Sequence, residues 1–210
     1  MLVNLAINAQ FPKSVQSRVR LIYPDPYIGL QNAVLKNAPH PAPITNFPLV
    51  LAHVNSSAPA DIFLEQAHWP SNFGMIYPED RTFMVVTIVQ FRAVDFGMEN
   101  CVLVLATHDM ESANFSAATT PFPFEIWGVD STDSVDPRKL SWKSRPRRTH
   151  LAASMTFPPG RNRLETPPFS CPSRALFTFE ITCSAPGCYL KFLQTNKSTN
   201  LGDCLSVRIY

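Results

Sequence analysis

The chain has 210 residues, of which 45% are hydrophobic and 16% charged, and its formal net charge is +2. This length suits one domain with extensions and is enough to bury a core, while the small net charge gives no reason to expect a nucleic-acid partner. Its 20 prolines, about twice the usual share, disfavour long helices and favour loops and strand edges. The composition predicts a β-rich globular protein.

Residues 1–45 are predicted to form a proline-rich, partly disordered extension or linker. The stretch YPDPYIGLQNAVLKNAPHPAPITNFP holds six prolines and shows little periodicity. The opening MLVNLAINAQ has no basic leader and too short an apolar run for a signal peptide. No run approaches the roughly 20 apolar residues of a membrane-spanning helix. We therefore expect membrane attachment only through a segment absent from this chain, and a truncated gene is one explanation for the missing signal.

From residue 46 onward the pattern changes to the two-residue period of β-strands. In FPFEIW, for example, Phe122, Phe124 and Ile126 share one face, while Glu125 and Trp127 share the other. Strands are predicted within residues 47–54, 83–94, 101–105, 122–127, 151–157, 177–183, 188–192 and 205–210. We expect residues 46–210 to form an all-β domain, an antiparallel, jelly-roll-like β-sandwich of about 7–9 strands.

Two cysteines flank the loop in FTFEITCSAPGCYLKFLQ. Read as a β-hairpin, this stretch places Cys183 and Cys188 on the apolar face at the loop mouth, close enough for a disulfide. Two buried free thiols or half of a metal site are the alternatives. A zinc site, however, needs four Cys or His ligands, and the five histidines are scattered singly. We therefore favour the disulfide, which indicates an oxidising compartment, and predict no metal and no cofactor.

The sequence gives less information about how the other three cysteines pair. Cys101 and Cys171 both lie in apolar β-runs and could pair across the sandwich, which leaves Cys204 free or intermolecular.

Three Asn-X-Ser sequons predict N-glycosylation at Asn55, Asn114 and Asn196. All three lie in or beside predicted loops, although such tripeptides also arise by chance. Together with the expected disulfide they favour an extracellular location, or a membrane-associated one on the lumenal side. A cytoplasmic location is the alternative.

The segment RKLSWKSRPRR, residues 138–148, is dense in cations. One interpretation is a ligand site for an anionic or sugar group, on which Trp142 would stack. Its candidate residues are Trp142, Arg145, Arg147 and Arg148. The simpler alternative is a solvated β-loop with Trp142 tucked into the core. We favour this second description of the segment.

No catalytic signature accompanies these features. The sequence has no G-x-S-x-G elbow, no P-loop and no G-x-G-x-x-G, and the candidate acid pairs lie in turn-like stretches. We therefore predict no catalytic residue, with a hydrolase as a less favoured possibility.

Several stretches resemble a family of fungal proteins. They are NFPLVLAHVNSSAPADIF, MIYPEDRTFMV, VVTIVQFRAVDFGMENCVLVL, IWGVD, LSWKSRPRR and FSC…FTFEITC…CYLKFLQ, within residues 22–194. The pattern is similar to the C-terminal domain of ubiquitin-3-binding protein, the But-two domain family, in a branch from mushroom-forming fungi. The resemblance implies a β-sandwich with four family cysteines at the positions of Cys101, Cys171, Cys183 and Cys188, and it implies no catalytic residue. Where relatives have a hydrophobic N-terminal segment, this chain has MLVNLAINAQFPKSVQSRVRL.

Taken together, the sequence predicts a non-catalytic β-sandwich binding module, extracytoplasmic or on the cell surface, whose ligand is a glycan or a protein. The alternative is an intracellular adaptor that binds a ubiquitin-like modifier protein, and it requires all five cysteines to stay reduced. The oligomeric state is not predicted.

Overall fold

The structure, a computed structural model, describes residues 29, 32, 42–63, 73–76, 84–94, 99–107, 115–117, 121–131, 133–157, 162–186, 188–193 and 204–209. The chain divides into two compact units, Met1–Asn37 and Ala38–Tyr210. In the first unit, the Asn32 backbone N–H donates to the Gly29 carbonyl at 3.1 Å, and Gly29 has a φ of 83°.

Thirteen strands and one short 3₁₀ turn, Pro137–Lys139, are described in the second unit. The strands are β1 (Ile44–Asn46), β2 (Val50–Asn55), β3 (Phe73–Ile76), β4 (Val85–Arg92), β5 (Asn100–Thr107), β6 (Phe115–Ala117), β7 (Phe122–Val129), β8 (Arg148–Phe157), β9 (Asn162–Glu165), β10 (Phe169–Ser170), β11 (Leu176–Cys183), β12 (Leu190–Leu193) and β13 (Cys204–Ile209). The predicted boundary between residues 45 and 46 falls inside β1. Across the part of the chain that is described, no helix has the length and apolarity to cross a membrane.

The strands form three sheets in which every pairing is antiparallel. The first sheet has the order β1-β13-β5-β10, with β9 also paired to β5, and the second has the order β2-β4-β11-β7-β8. A small third sheet has the order β3-β12-β6. The all-β, antiparallel sandwich is therefore confirmed. It has more strands than expected because β1, β3, β6, β9 and β10 are only two to four residues long, too short to show alternation.

The main core is built from the inner faces of the first and second sheets. On β7, Phe122, Phe124 and Ile126 are each at most 2% exposed, as their alternation predicts. They pack in one cluster with Leu103 of β5 and Phe179 of β11. Burying a side chain of this size contributes about 2 kcal/mol, so this shared face holds the two sheets together.

The outer face of the second sheet is covered as well. Val50, Val86 and Ile88 form a second cluster with Leu140, and Trp142 packs half-buried against it. Leu140 and Trp142 belong to the connection between β7 and β8, which therefore lies over this face as a cover. As a result, β4 is buried along both faces except at its last residue.

The disulfide Cys183–Cys188 is present, but the predicted hairpin around it is wrong. Strand β11 lies between β4 and β7, so both of its edges are already paired. Strand β12 pairs instead with β3 and β6 in the small sheet. The short disulfide thus clasps the turn at which the chain passes from the second sheet to the small one.

The disulfide Cys101–Cys171 is also present, with its Cα atoms 5.8 Å apart. It does not cross the sandwich. Cys171 directly follows β10, which pairs with β5 at Phe169 and Cys101, so the bond ties two neighbouring parts of the first sheet. The backbone of Cys204 belongs to β13, while its side chain lies outside the described residues. Among the described residues, no group of three or more His, Cys, Asp or Glu side chains is placed to hold a metal.

Candidate functional site

A cavity of about 410 Å³ opens along β8, at one edge of the second sheet. We call it the β8 cavity. Its lining comes from Leu103 of β5, from β7, β8, β10 and β11, from Ser131 just beyond β7, and from residues 166–168, which join β9 to β10. Because these elements belong to both large sheets, the cavity is a gap between the two layers of the sandwich.

From its interior to its mouth, the β8 cavity is lined first by buried and then by exposed side chains. Leu103, Ile126 and Phe179 are at most 6% exposed and form its interior. Leu151 is 47% exposed, and His150 is likewise exposed. The cavity therefore has an apolar interior and a mouth that faces solvent.

Strand β8 lines the cavity with three consecutive residues, His150, Leu151 and Ala152. In a regular strand, neighbouring side chains point to opposite faces of the sheet. The pairing of β8 with β7, however, shifts register between Ile126 and Trp127 and again between Gly128 and Val129. Such bulges re-aim side chains, so they account for all three residues reaching one cavity.

The opposite wall is an aromatic cluster held by a short, proline-containing segment. The ring of Phe169 makes edge contacts with Phe177 and Phe179, with centroids 5.7 and 5.5 Å apart. The backbone N–H of Thr166 donates to the carbonyl of Leu103 at 3.0 Å, and Thr166 Oγ1 accepts from the Leu103 N–H at 3.1 Å. This double connection fixes the segment to β5, so the wall is pre-formed.

His150 is positioned by its strand partner, Gly128. Its imidazole occupies the space that a Cβ at Gly128 would need, so a glycine is required for this close approach. Thr149 Oγ1 lies 2.9 Å from the Gly128 carbonyl oxygen and 2.9 Å from His150 Nδ1. Among the described residues, no Asp, Glu, Lys or Arg lines the cavity.

The basic segment predicted as a ligand site lies on the other side of the second sheet, around Glu180 of β11. The Glu180 side chain is fully buried. Arg148 donates to its Oε1 from Nε and Nη2, at 2.9 and 2.6 Å. Arg145 Nε lies 3.4 Å from Oε2, within ion-pairing distance but without hydrogen-bond geometry. Both guanidinium groups therefore share one carboxylate, and the three side chains together keep a net charge of +1.

Both arginines also contact tryptophan rings. The guanidinium of Arg145 lies 3.6 Å from the centroid of the Trp142 ring, and that of Arg148 lies 5.2 Å from the centroid of Trp127. These distances suit cation–π attraction. We call the set Trp127, Trp142, Arg145, Arg148 and Glu180 the arginine cluster.

The structure thus brings three of the four predicted site residues, Trp142, Arg145 and Arg148, around one buried carboxylate. The fourth, Arg147, is exposed, and its side chain makes no hydrogen bond or ion pair with the residues that the structure describes. That these four residues bind a ligand stays a prediction.

The connection that carries the basic segment is held at a second point by Gln90 of β4. The fully buried Gln90 side chain donates to the carbonyl of Asp133 at 2.9 Å and accepts from the Val135 N–H at 3.0 Å. Farther along, Asp136 caps the 3₁₀ turn, and hydrogen bonds from Arg138 lower the pKa of its carboxyl. The basic segment is therefore a built cover and not a free loop.

Of the predicted glycosylation sites, Asn55 is described. It ends β2 and is partly exposed, and its Oδ1 accepts from both the N–H and the hydroxyl of Ser57, each at 2.9 Å. Asn114 and Asn196 lie outside the described residues. Glycosylation of all three stays a prediction.

The residues of the β8 cavity were not among the sequence candidates. His150 stands alone in the sequence, and residues 166–170 have no periodicity. One usable signal existed: an isolated glycine within a strand pattern, such as Gly128 in IWGVD, indicates a bulge or a close approach.

Comparisons with known proteins do not assign this chain to a family. No family model matches the chain, and no curated protein matches it. One solved structure with some similarity contains the CBM22-1 and GH10 modules of Clostridium thermocellum endo-1,4-beta-D-xylanase 10B in complex with xylohexaose. It has 10% sequence identity and a TM-score of 0.32, and the match covers 77% of this chain but only 25% of that one. A similarity this low supports no conclusion about function, and membership in the fungal family stays a prediction.

Proposed function

We propose that this chain is a non-catalytic binding module that works outside the cytosol, and that the β8 cavity is its ligand site. The observation that carries the proposal is the cavity itself: about 410 Å³, with an apolar interior, a solvent-facing mouth and walls fixed by paired strands. Ligand sites in proteins are typically concave and mostly apolar, have volumes of about 300–1,000 Å³, and contain a few placed polar groups.

Two disulfides support the proposed location. Cys101–Cys171 and Cys183–Cys188 are both formed, and structural disulfides are characteristic of secreted and lumenal proteins. The partly exposed sequon at Asn55 is consistent with the same route. The intracellular adaptor is disfavoured for the same reason, because it requires reduced cysteines.

The chemistry of the cavity favours binding over catalysis. Among its described lining residues, His150 is the one side chain of a type that commonly acts as a general acid or base. The neighbouring Thr149 hydroxyl donates to the Gly128 carbonyl, so His150 does not serve as its base. A nucleophile activated by a base, as covalent catalysis requires, is therefore not assembled here.

A second surface is a candidate site for the predicted ligand, a glycan or a protein. The arginine cluster and the exposed Arg147 are the predicted residues there. Glu180 balances only one of the two charges of Arg145 and Arg148, so a ligand on that surface would meet this remaining positive charge together with the exposed Arg147 and Lys143.

The site proposal is tested by blocking the cavity. Ala152→Phe places a large side chain within the lining, and Leu151→Trp blocks the exposed rim without disturbing the core. Ser154→Phe, on the same strand but outside the lining, is the matched control. In a small-molecule screen by protein-observed NMR, we expect hits that shift residues 150–152 in the wild type and the control, and no binding by the two blocked variants. Hits that bind all four proteins equally would place the ligand site elsewhere.

A further inference from the structure

Two contacts of Thr149 Oγ1 favour one of the two tautomers of the neutral His150 imidazole. Thr149 Oγ1 lies 2.9 Å from the Gly128 carbonyl oxygen, which can only accept, so the hydroxyl donates its single proton there. The same oxygen lies 2.9 Å from His150 Nδ1, and both contacts are hydrogen bonds only when Nδ1 carries a proton and donates to it. A neutral imidazole with its proton on Nδ1 has an acceptor at Nε2.

This acceptor is one polar feature that the cavity offers to a ligand. The lining also holds three hydroxyls that each make a hydrogen bond within the protein: Ser131 Oγ donates to the Asp133 carbonyl, while Thr166 Oγ1 and Thr178 Oγ1 accept from the Leu103 N–H and from Gln90 Nε2. Within the described part of the chain, His150 Nε2 makes none. Ser170 lies at the exposed rim.

The rest of the lining is uncharged and largely apolar. Leu103, Ile126 and Phe179 form the interior, and Phe169 and Phe177 add aromatic surface. A charged ligand would lose its hydration without gaining a counter-ion, and this is costly. A cavity of about 150 Å³ is known to hold benzene, so 410 Å³ has room for about two rings or a short hydrocarbon chain.

From these observations we infer the ligand class: a small, uncharged molecule with an aromatic or hydrocarbon body and a hydroxyl group. The body occupies the apolar interior, and the hydroxyl donates to His150 Nε2 at the mouth. This inference rests on the proposed function and narrows it. Thr149 acts as a positioning residue, because it holds the tautomer that leaves Nε2 as an acceptor.

The test uses two probes that differ by the inferred group, 2-naphthol and naphthalene. Each is titrated at pH 8 into the full oxidised chain and into His150→Phe, Thr149→Val and the control Ser154→Ala, whose site lies on the same strand outside the lining. We expect the ratio of 2-naphthol affinity to naphthalene affinity to fall about fivefold in His150→Phe, the loss of one neutral hydrogen bond. The ratio should fall in Thr149→Val as well and stay unchanged in Ser154→Ala.

A second readout concerns the tautomer directly. Long-range ¹H–¹⁵N spectra of the wild type should show His150 Nδ1 protonated and Nε2 bare, with the Nε2 resonance shifting when 2-naphthol is added. An unchanged affinity ratio in His150→Phe, or a proton on Nε2 in the free protein, would overturn the hydroxyl assignment. If neither probe binds while other screening hits occupy residues 150–152, the ligand class is wrong but the binding site stands.

Discussion

The arginine cluster allows a sharp test of how the β7–β8 connection is held. Arg148→Met keeps the apolar stem of the side chain but removes its charge. Glu180 then remains fully buried, with only Arg145 at 3.4 Å to balance it. Removing one partner of a buried ion pair costs about 3–5 kcal/mol, because the other charge stays desolvated.

The reverse change should cost less. In Glu180→Gln the remaining charges belong to Arg145 and Arg148, whose side chains are 25% and 32% exposed and can reach water. The glutamine oxygen also keeps an acceptor in place. We expect a loss of about 1–2 kcal/mol, typical of weakened hydrogen bonds to a charged group. The double variant should cost at least about 2 kcal/mol less than the sum of the two single variants, because they share one interaction.

Urea unfolding of the oxidised protein, followed by tryptophan fluorescence, measures these differences. Arg147→Met is the matched control, since Arg147 is exposed, and its effect should stay within about 0.5 kcal/mol. If Arg148→Met is no more destabilising than Arg147→Met, or if Glu180→Gln is the worse of the two changes, the carboxylate does not hold this connection in the way described.

Three further outcomes are expected. Replacing Cys101 and Cys171 by alanine should destabilise the fold by about 4 kcal/mol, and replacing Cys183 and Cys188 should destabilise it by about 2 kcal/mol. The difference arises because the first disulfide closes a loop of 70 residues and the second a loop of 5. Equal losses in urea unfolding would contradict this order. Burial, with a smaller contribution from Lys191, lowers the pKa of His53 to about 4 from 6.5. The unfolded chain therefore binds this proton more tightly, and stability should fall by up to about 3 kcal/mol between pH 6.5 and 4; His53→Gln should flatten that part of the urea-midpoint profile, and an unchanged profile would show that His53 is not responsible. Expression through a secretory host should yield glycan on Asn55, which Asn55→Gln removes; a bare Asn55 in fully secreted protein would refute that site.

The strands were predictable where alternation was long enough to read. Phe122, Phe124 and Ile126 point inward as their spacing predicts, and the Cys183–Cys188 disulfide was predicted, while the Cys101–Cys171 pair was only a possibility and was expected across the sandwich. The pairing of strands was not predictable, because a pattern shows which face is apolar but not which strand lies beside it. The hairpin failed for that reason: β4 and β7 had already taken both edges of β11.

The site was less accessible to sequence reasoning. Glu180 alternates with Phe179 and Ile181, which suggests a solvent-facing carboxylate, yet the β7–β8 connection covers it. The β8 cavity depends on two bulges and on residues 166–170, features that have no period. A buried face on both sides of a sheet, and a gap between layers, arise from tertiary packing and leave little trace in a local pattern.

The most direct test of the proposed function is native mass spectrometry of the protein purified from its own host without reduction. We expect a chain lighter than its reduced form by the four hydrogens of two disulfides, glycan on Asn55, and a bound small, uncharged molecule that is absent from Leu151→Trp. Five free thiols and a bare Asn55 would contradict the proposed location. Oxidised, glycosylated protein that never carries or accepts a ligand in the β8 cavity would contradict the proposed site.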